Sequence, residues 1–145
     1  MSHLITTNIG QAAALSAYRT YLNTAIAAGQ VRVKLFRNNF VPGAATVIGD
    51  FTEANFNGYT AGGKTLTNPF GTVTTTGAGY AEIVSPDVLT WICTDGLAPN
   101  SVYGYWVVDD IPLLLWTEKF DAPIDMTATG NRLNLTLRYS MKSEY

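Results

Sequence analysis

Residues 132–139 read Arg-Leu-Asn-Leu-Thr-Leu-Arg-Tyr. Leu133, Leu135, Leu137 and Tyr139 alternate with Arg132, Asn134, Thr136 and Arg138. Successive side chains of a strand point to opposite faces, so this run predicts a strand with one apolar and one polar face. Gly130-Asn131 just before it supplies a turn. Working back along the chain, the same kind of signal recurs. Leu113 to Glu118 and Val102 to Val108 predict a hairpin about Asp109-Asp110. Val88 to Thr94 places Leu89, Trp91 and Cys93 on one face. Tyr80 to Val84 predicts a separate strand, stopped by Ser85-Pro86-Asp87. Thr72 to Thr76 is β-branched and polar, as on an exposed edge, with Gly77 and Gly79 bracketing the next turn.

The first third of the chain behaves differently. From about Asn8 to Ala28, Leu15, Tyr18, Leu22, Ala25 and Ile26 recur at three- and four-residue steps, which predicts a helix with one apolar stripe. Asn8 and Gln11 are spaced as a capping box, and Gly29 suits the left-handed position that ends a helix. Val31, Val33 and Leu35 then alternate with Arg32, Lys34 and Phe36, a half-buried strand. Thr52 to Phe56 reads as a short helical turn capped by Thr52 or Asp50. Gly58, Gly62 and Gly63 read as a flexible stretch leading to Lys64. Short strands at spacings of this kind predict a mainly β fold, an antiparallel β-sandwich or barrel preceded by one N-terminal α-helix. The expected organisation is an arm over 1–8, the helix over 9–29 and the β domain over 30–145, forming a single domain.

The chain has 145 residues, enough for one domain with its own core. Charged residues make up 14%, where about 25% is usual, and a weakly charged surface suits a protein that lives in an assembly. Net charge is −2 and there is no basic run, which argues against nucleic acid as a partner. Arg32, Lys34 and Arg37 form the only close basic cluster, and the polar face of a strand accounts for it. No apolar run approaches the ~20 residues that span a bilayer, and the N-terminus lacks the pattern of a secretion signal, so no membrane association is expected.

Chemistry-bearing residues are few. His3 is the only histidine and Cys93 the only cysteine. Triads and two-histidine metal sites are thereby excluded or badly placed, and no base stands ready to activate Cys93, which reads as a core thiol. Asp109-Asp110 read as turn formers. Glu118 and Asp121 flank Lys119 without a pattern that marks a glycosidase pair. Gly62-Gly63-Lys64-Thr65 resembles the end of a phosphate loop, but its first glycine is out of register and no helix pattern follows. No catalytic residue, metal or cofactor is expected, and the protein is expected to bind rather than catalyse. Tyr103, Tyr105, Trp106 and Trp116 crowd two adjacent strands, as an interface anchor or a sugar-stacking platform does. The alternation puts Tyr103 and Tyr105 on one face and Trp106 on the other, so both faces of that strand are expected to be covered.

Three segments, taken in order, carry a resemblance. They are Val33-Lys34-Leu35-Phe36-Arg37-Asn38-Asn39 with Pro42 and Thr52-Glu53-Ala54-Asn55-Phe56-Asn57-Gly58-Tyr59, then Val102 to Val108, then Leu114 to Phe120 with the alternating last strand. Together they resemble small structural proteins of tailed bacteriophages and prophages, whose members also begin with a helix. The resemblance implies a capsid decoration or cement protein. Such a protein binds the major capsid protein shell and stabilises the phage head, as a homo-oligomer, in particular a trimer. It would be made in the bacterial host cytoplasm and end on the outer capsid surface of the virion. The alternative is a tail, fibre or baseplate module that binds a host-surface glycan. Partner contacts are expected at His3, Leu4 and Ile5 in the arm and at Tyr103, Tyr105 and Trp106.

Overall fold

The computed structural model describes residues 8–75 and 80–142, with side chains from Gly10 to Met141. The fold is mainly β, one N-terminal helix followed by two antiparallel sheets, the set of elements of a sandwich-like fold. Helix α1 is Asn8–Ala27 and the strands are β1 Arg32–Phe36, β2 Lys64–Thr65, β3 Thr74–Thr75, β4 Tyr80–Ile92, β5 Asn100–Val108, β6 Leu114–Met126 and β7 Arg132–Lys142. One sheet has the order β2-β1-β5-β6 and the other β3-β4-β7. The chain forms two compact units, one from Met1–Ala28, Thr67–Val88 and Thr136–Tyr145, the other from Gly29–Leu66 and Leu89–Leu135. Strands β4 and β7 each run through both. The expected arm and the turn at Gly77 and Gly79 lie outside the described residues, as does the side chain of Asn8.

In the first unit the helix stripe is buried as its spacing predicts: Leu15, Leu22, Ala25 and Ile26 are in the core and Tyr18 is half-buried against Tyr139, with ring centroids 5.1 Å apart. Gly29 takes a φ of 72° just past the helix. Polar groups on α1 hold the chain before β3. Asn23 exchanges two hydrogen bonds with the Phe70 backbone, and the Arg19 Nε donates to the Phe70 and Gly71 carbonyls. Asp87 and Ser85 do not stop β4, which runs through Pro86 without a break. Gly71 donates to the Val84 carbonyl on the β3 side, and period two puts Pro86 on that same side. The β3 ladder pairs only with Ala81 and Glu82, so a missing N–H at 86 leaves no ladder bond unmade.

In the second unit β1 lies antiparallel to β5, with Val33 opposite Val107 and Leu35 opposite Tyr105 on the buried face. Phe36 departs from the expected alternation of buried and solvated positions. It sits opposite Gly104 on the other face and is fully buried there, because residues 37–51 fold back over that face. Residues 52–56 are not a helical turn. Arg37 N–H donates to the Thr52 carbonyl and Ala54 N–H to the Leu35 carbonyl, so this segment pairs alongside β1 in extended form. Burial of Ala54 and Phe56 fixes it. The short helical element falls earlier, a 3-10 turn at Ile48–Asp50.

The glycine passage after it is held in place. Gly58 and Gly63 have φ of 108° and 74°, and a Cβ at either would run into a backbone carbonyl, that of Ile92 or of Val33. The buried Asn100 carboxamide satisfies the backbone nearby. Its Oδ1 accepts from the Asn55 and Phe56 N–H groups, and its Nδ2 donates to Asn55 Oδ1 and the Pro99 carbonyl. Strand β6 extends beyond the expected Glu118 to Met126, passing through Pro123. It is an edge strand, where proline is tolerated.

Two phenols hydrogen-bonded to carboxylates mark this unit, Tyr105 buried and Tyr59 half-buried. The Tyr59 hydroxyl donates to Glu53 Oε1 at 2.8 Å and accepts from the Leu35 N–H, and the Tyr105 hydroxyl donates to Glu118 Oε2 at 2.8 Å. Burial, then the neighbouring carboxylate, pushes both hydroxyls far above the ordinary tyrosine range. A raised folded-state pKa gives stability that is complete below the unfolded value of about 10 and is lost as pH rises above it. A spectrophotometric titration is therefore expected to show Tyr59 and Tyr105 ionising only together with alkaline unfolding. Smooth ionisation of all eight tyrosines with the fold intact would contradict this.

Candidate functional site

Asp109, Glu118 and Cys93, three of the sequence-predicted chemical groups, are hydrogen-bonded within the fold. Asp109 is buried at the β5–β6 connection, where its Oδ1 accepts from the Ile111 and Leu113 N–H groups at 3.0 and 2.9 Å. It is a turn former, as its position predicts. Glu118 takes the Tyr105 hydroxyl. Asp110 and Asp121 are exposed. Cys93 is buried and its thiol donates to the Asp95 and Met126 carbonyls. Among the described residues no group of three His, Cys, Asp or Glu side chains is placed to hold a metal ion, and no helix is long and apolar enough to cross a membrane.

The expected contact residues separate. His3, Leu4 and Ile5 lie outside the described residues. Tyr103 and Tyr105 do not share a face. The register of β5 against β6 shifts between Val102 and Gly104, so that Tyr103 turns to the side of Trp106. Tyr105 and Trp106 are both buried within the chain, and Tyr103 alone of the three is half-exposed, with the Lys119 ammonium 5.9 Å from its ring centroid.

Trp106 instead belongs to a second cluster on the outer face of the β1–β5 pair. Phe36, Trp106 and Val108 form it, with Ile48, Phe51, Tyr103 and Leu114 packed around them. The Phe51 ring stacks on Trp106 at 4.7 Å, 6° from parallel, and Phe40 meets Phe51 edge-on. The covering loop is tied down by its own polar groups. Asn38 Nδ2 donates to the Asp50 carbonyl and Asn38 Oδ1 accepts from the Thr52 N–H. Asp50 Oδ2 accepts from the Val47 N–H, and Thr46 Oγ1 from the Gly43 N–H.

This packing creates a site that the pattern of alternation did not reveal. Thr46, Val47, Ile48 and Gly49 face Pro112, Leu113 and Leu114 across a groove of about 510 Å³. Ile48 and Leu114 belong both to its wall and to the aromatic cluster, so the floor is part of a packed core. Its rim is apolar and open: Ile111 is 83% exposed, Val47 59% and Leu113 53%. The surface inside the groove is about as polar as it is apolar, and the exposed aliphatic side chains beside it form an apolar patch. The signal in the sequence was the run Ile111-Pro112-Leu113-Leu114-Leu115 directly after an Asp-Asp turn, where polar residues are the rule. Comparison with protein-family models, with curated proteins and with solved structures gives no match.

Proposed function

We propose that this chain is a virion structural protein, a capsid decoration or cement protein that binds the major capsid protein shell of a phage head and works as a homo-oligomer on its outer surface. The observation that carries a protein-contact role is the groove between residues 46–49 and 112–114 with its exposed rim of Val47, Ile111 and Leu113. Apolar side chains held at a loop tip above a packed aromatic floor lose little conformational entropy when a partner covers them. The low charge supports the same role, and the resemblance of the ordered segments supplies the particle. Burial of Tyr105 and Trp106 removes most of the aromatic platform that a glycan-binding tail module would need, which favours the shell over the tail.

The test is reconstitution. Particles lacking this chain are mixed with purified protein, and bound copies and the heat stability of the particle are measured. Wild-type protein is expected to bind in many copies and raise the temperature of genome release. Leu113→Asp is expected to weaken binding at least about tenfold, the loss expected of a central contact residue, while its own melting temperature stays near wild type because Leu113 is exposed. Equal particle stability with and without the protein, or undiminished binding by Leu113→Asp, would overturn the reading.

A further inference from the structure

Among the described residues the two sheets have four edge strands, and three of them are blunted. Strands β2 and β3 have two residues each. Strand β6 is interrupted by register shifts opposite Val102–Gly104 and Val107–Val108, and carries Pro123 between Asp121 and Asp125. Short length, bulges, proline and charge are the devices that keep a sheet edge from pairing with another chain. Strand β7 differs. It has 11 residues without proline, glycine or acid, its charges lie at 132, 138 and 142, and residues 133–137 are uncharged. Among the described residues no strand lies on its far side.

We infer that β7 is an assembly edge whose partner is β7 of a second copy, paired antiparallel about a two-fold axis at Thr136. Residues directly opposite in an antiparallel pair share a face, so the two-fold passes through one residue position and the choice of that residue sets the register. With the axis at Thr136, Leu135 faces the partner's Leu137, Asn134 faces the partner's Arg138, and Arg132 faces the partner's Ser140. Centring on Leu135 sets Arg132 against the partner's Arg138. Centring on Leu137 sets it against the partner's Lys142, and centring on Arg138 sets that residue against itself. Among the registers that pair nine or more residues of β7, those centred on Thr136, Leu137 and Arg138, only the first avoids like charges directly opposite, which selects it. Leu135 and Leu137 are buried and Asn134, Thr136 and Arg138 exposed in the single chain, so joining the strands continues the apolar face under the sheet and the polar face over it. An isologous contact closes on two copies and gives a dimer, in place of the trimer expected from the resemblance. The inference is independent of the proposed virion role, since its residues are not those of the groove.

Sedimentation of the full chain over a range of concentration tests it. The mass is expected to rise from 15.7 kDa toward twice that value. Thr136→Glu and Thr136→Lys each oppose like charges at the axis and are expected to weaken association about tenfold or more. An equimolar mixture of the two is expected to recover it through Glu–Lys pairs. Both variants keep the wild-type circular dichroism, because Thr136 is exposed. Wild-type protein that stays at the single-chain mass overturns the inference. So do two variants that associate as tightly as wild type.

Discussion

Replacing Gly104 by alanine is expected to lower the stability of this protein by about 3–5 kcal/mol, the range of a severe overpacking change. Gly104 lies in the middle of β5, opposite Phe36 of β1 and Lys119 of β6. The Phe36 ring lies over the glycine. A Cβ built there would be 2.6 and 2.7 Å from Phe36 Cζ and Cε1, and would also run into the Glu118 carbonyl. The glycine's φ is not positive, so the constraint is one of space and not of backbone conformation. Relief would require Phe36 to leave its cluster or β6 to move away from β5, and either breaks packing that is fully buried. Folded domains are stable by roughly 5–15 kcal/mol, so a loss of this size takes much of the total. The melting temperature should fall on the order of 10 °C for a chain this long. Chemical denaturation with tryptophan fluorescence gives the free energy directly, and a Gly104→Ala protein within 1 kcal/mol of wild type would show that Phe36 is not seated as described.

Trp106→Ala is expected to cost a similar amount, about 3–5 kcal/mol, for a different reason. Here a large side chain is removed and a cavity is left. The ring stacks on Phe51, packs with Phe36, and carries the Lys34 ammonium 5.9 Å from its centroid. Ile48 and Leu114 lean on the same cluster and form the groove wall, so the variant should lose binding at the groove along with stability. Trp106→Phe separates the two contributions. The indole N–H is buried with no acceptor among the described residues. Phenylalanine keeps a stacking ring and removes an unpaired donor whose burial costs roughly 1–3 kcal/mol. Trp106→Phe should therefore lie within about 1.5 kcal/mol of wild type, the usual limit for a swap that keeps most of the volume. A Trp106→Ala protein as stable as wild type, with binding intact, would mean that the loop over residues 37–51 is held without this cluster.

The elements that sequence alone determined are those whose burial follows one period. The stripe on α1 and the alternation in β1 and β7 come from a helix or strand presenting one face to a core. Leu15, Leu22, Val33, Leu35, Leu133 and Leu137 are buried as their spacing requires. Local turn chemistry was equally legible. Gly29 and Gly130 have positive φ, and Asp109 accepts two N–H groups of its own turn. The helical turn read at Thr52–Phe56 failed because its local propensity is weaker than pairing with β1, whose partner groups are 15 to 19 residues away in sequence. Pro86 misled for the same reason. Whether a missing N–H matters depends on which neighbour a strand has on that side.

The candidate site was the least legible part. It depends on residues 37–51 crossing one face of the β1–β5 pair, and on a register shift that turns Tyr103 toward Trp106. The sequence determined that the chain is mainly β with one leading helix. Only the tertiary structure decided that Tyr105 and Trp106 are buried, that Val47, Ile111 and Leu113 form an exposed apolar patch beside a groove, and that, among the described residues, β7 is a long edge without proline, glycine or acid. Period and propensity are properties of neighbours along the chain. Exposure of an aromatic, a groove or a strand edge is set by segments distant in sequence that do or do not cover it.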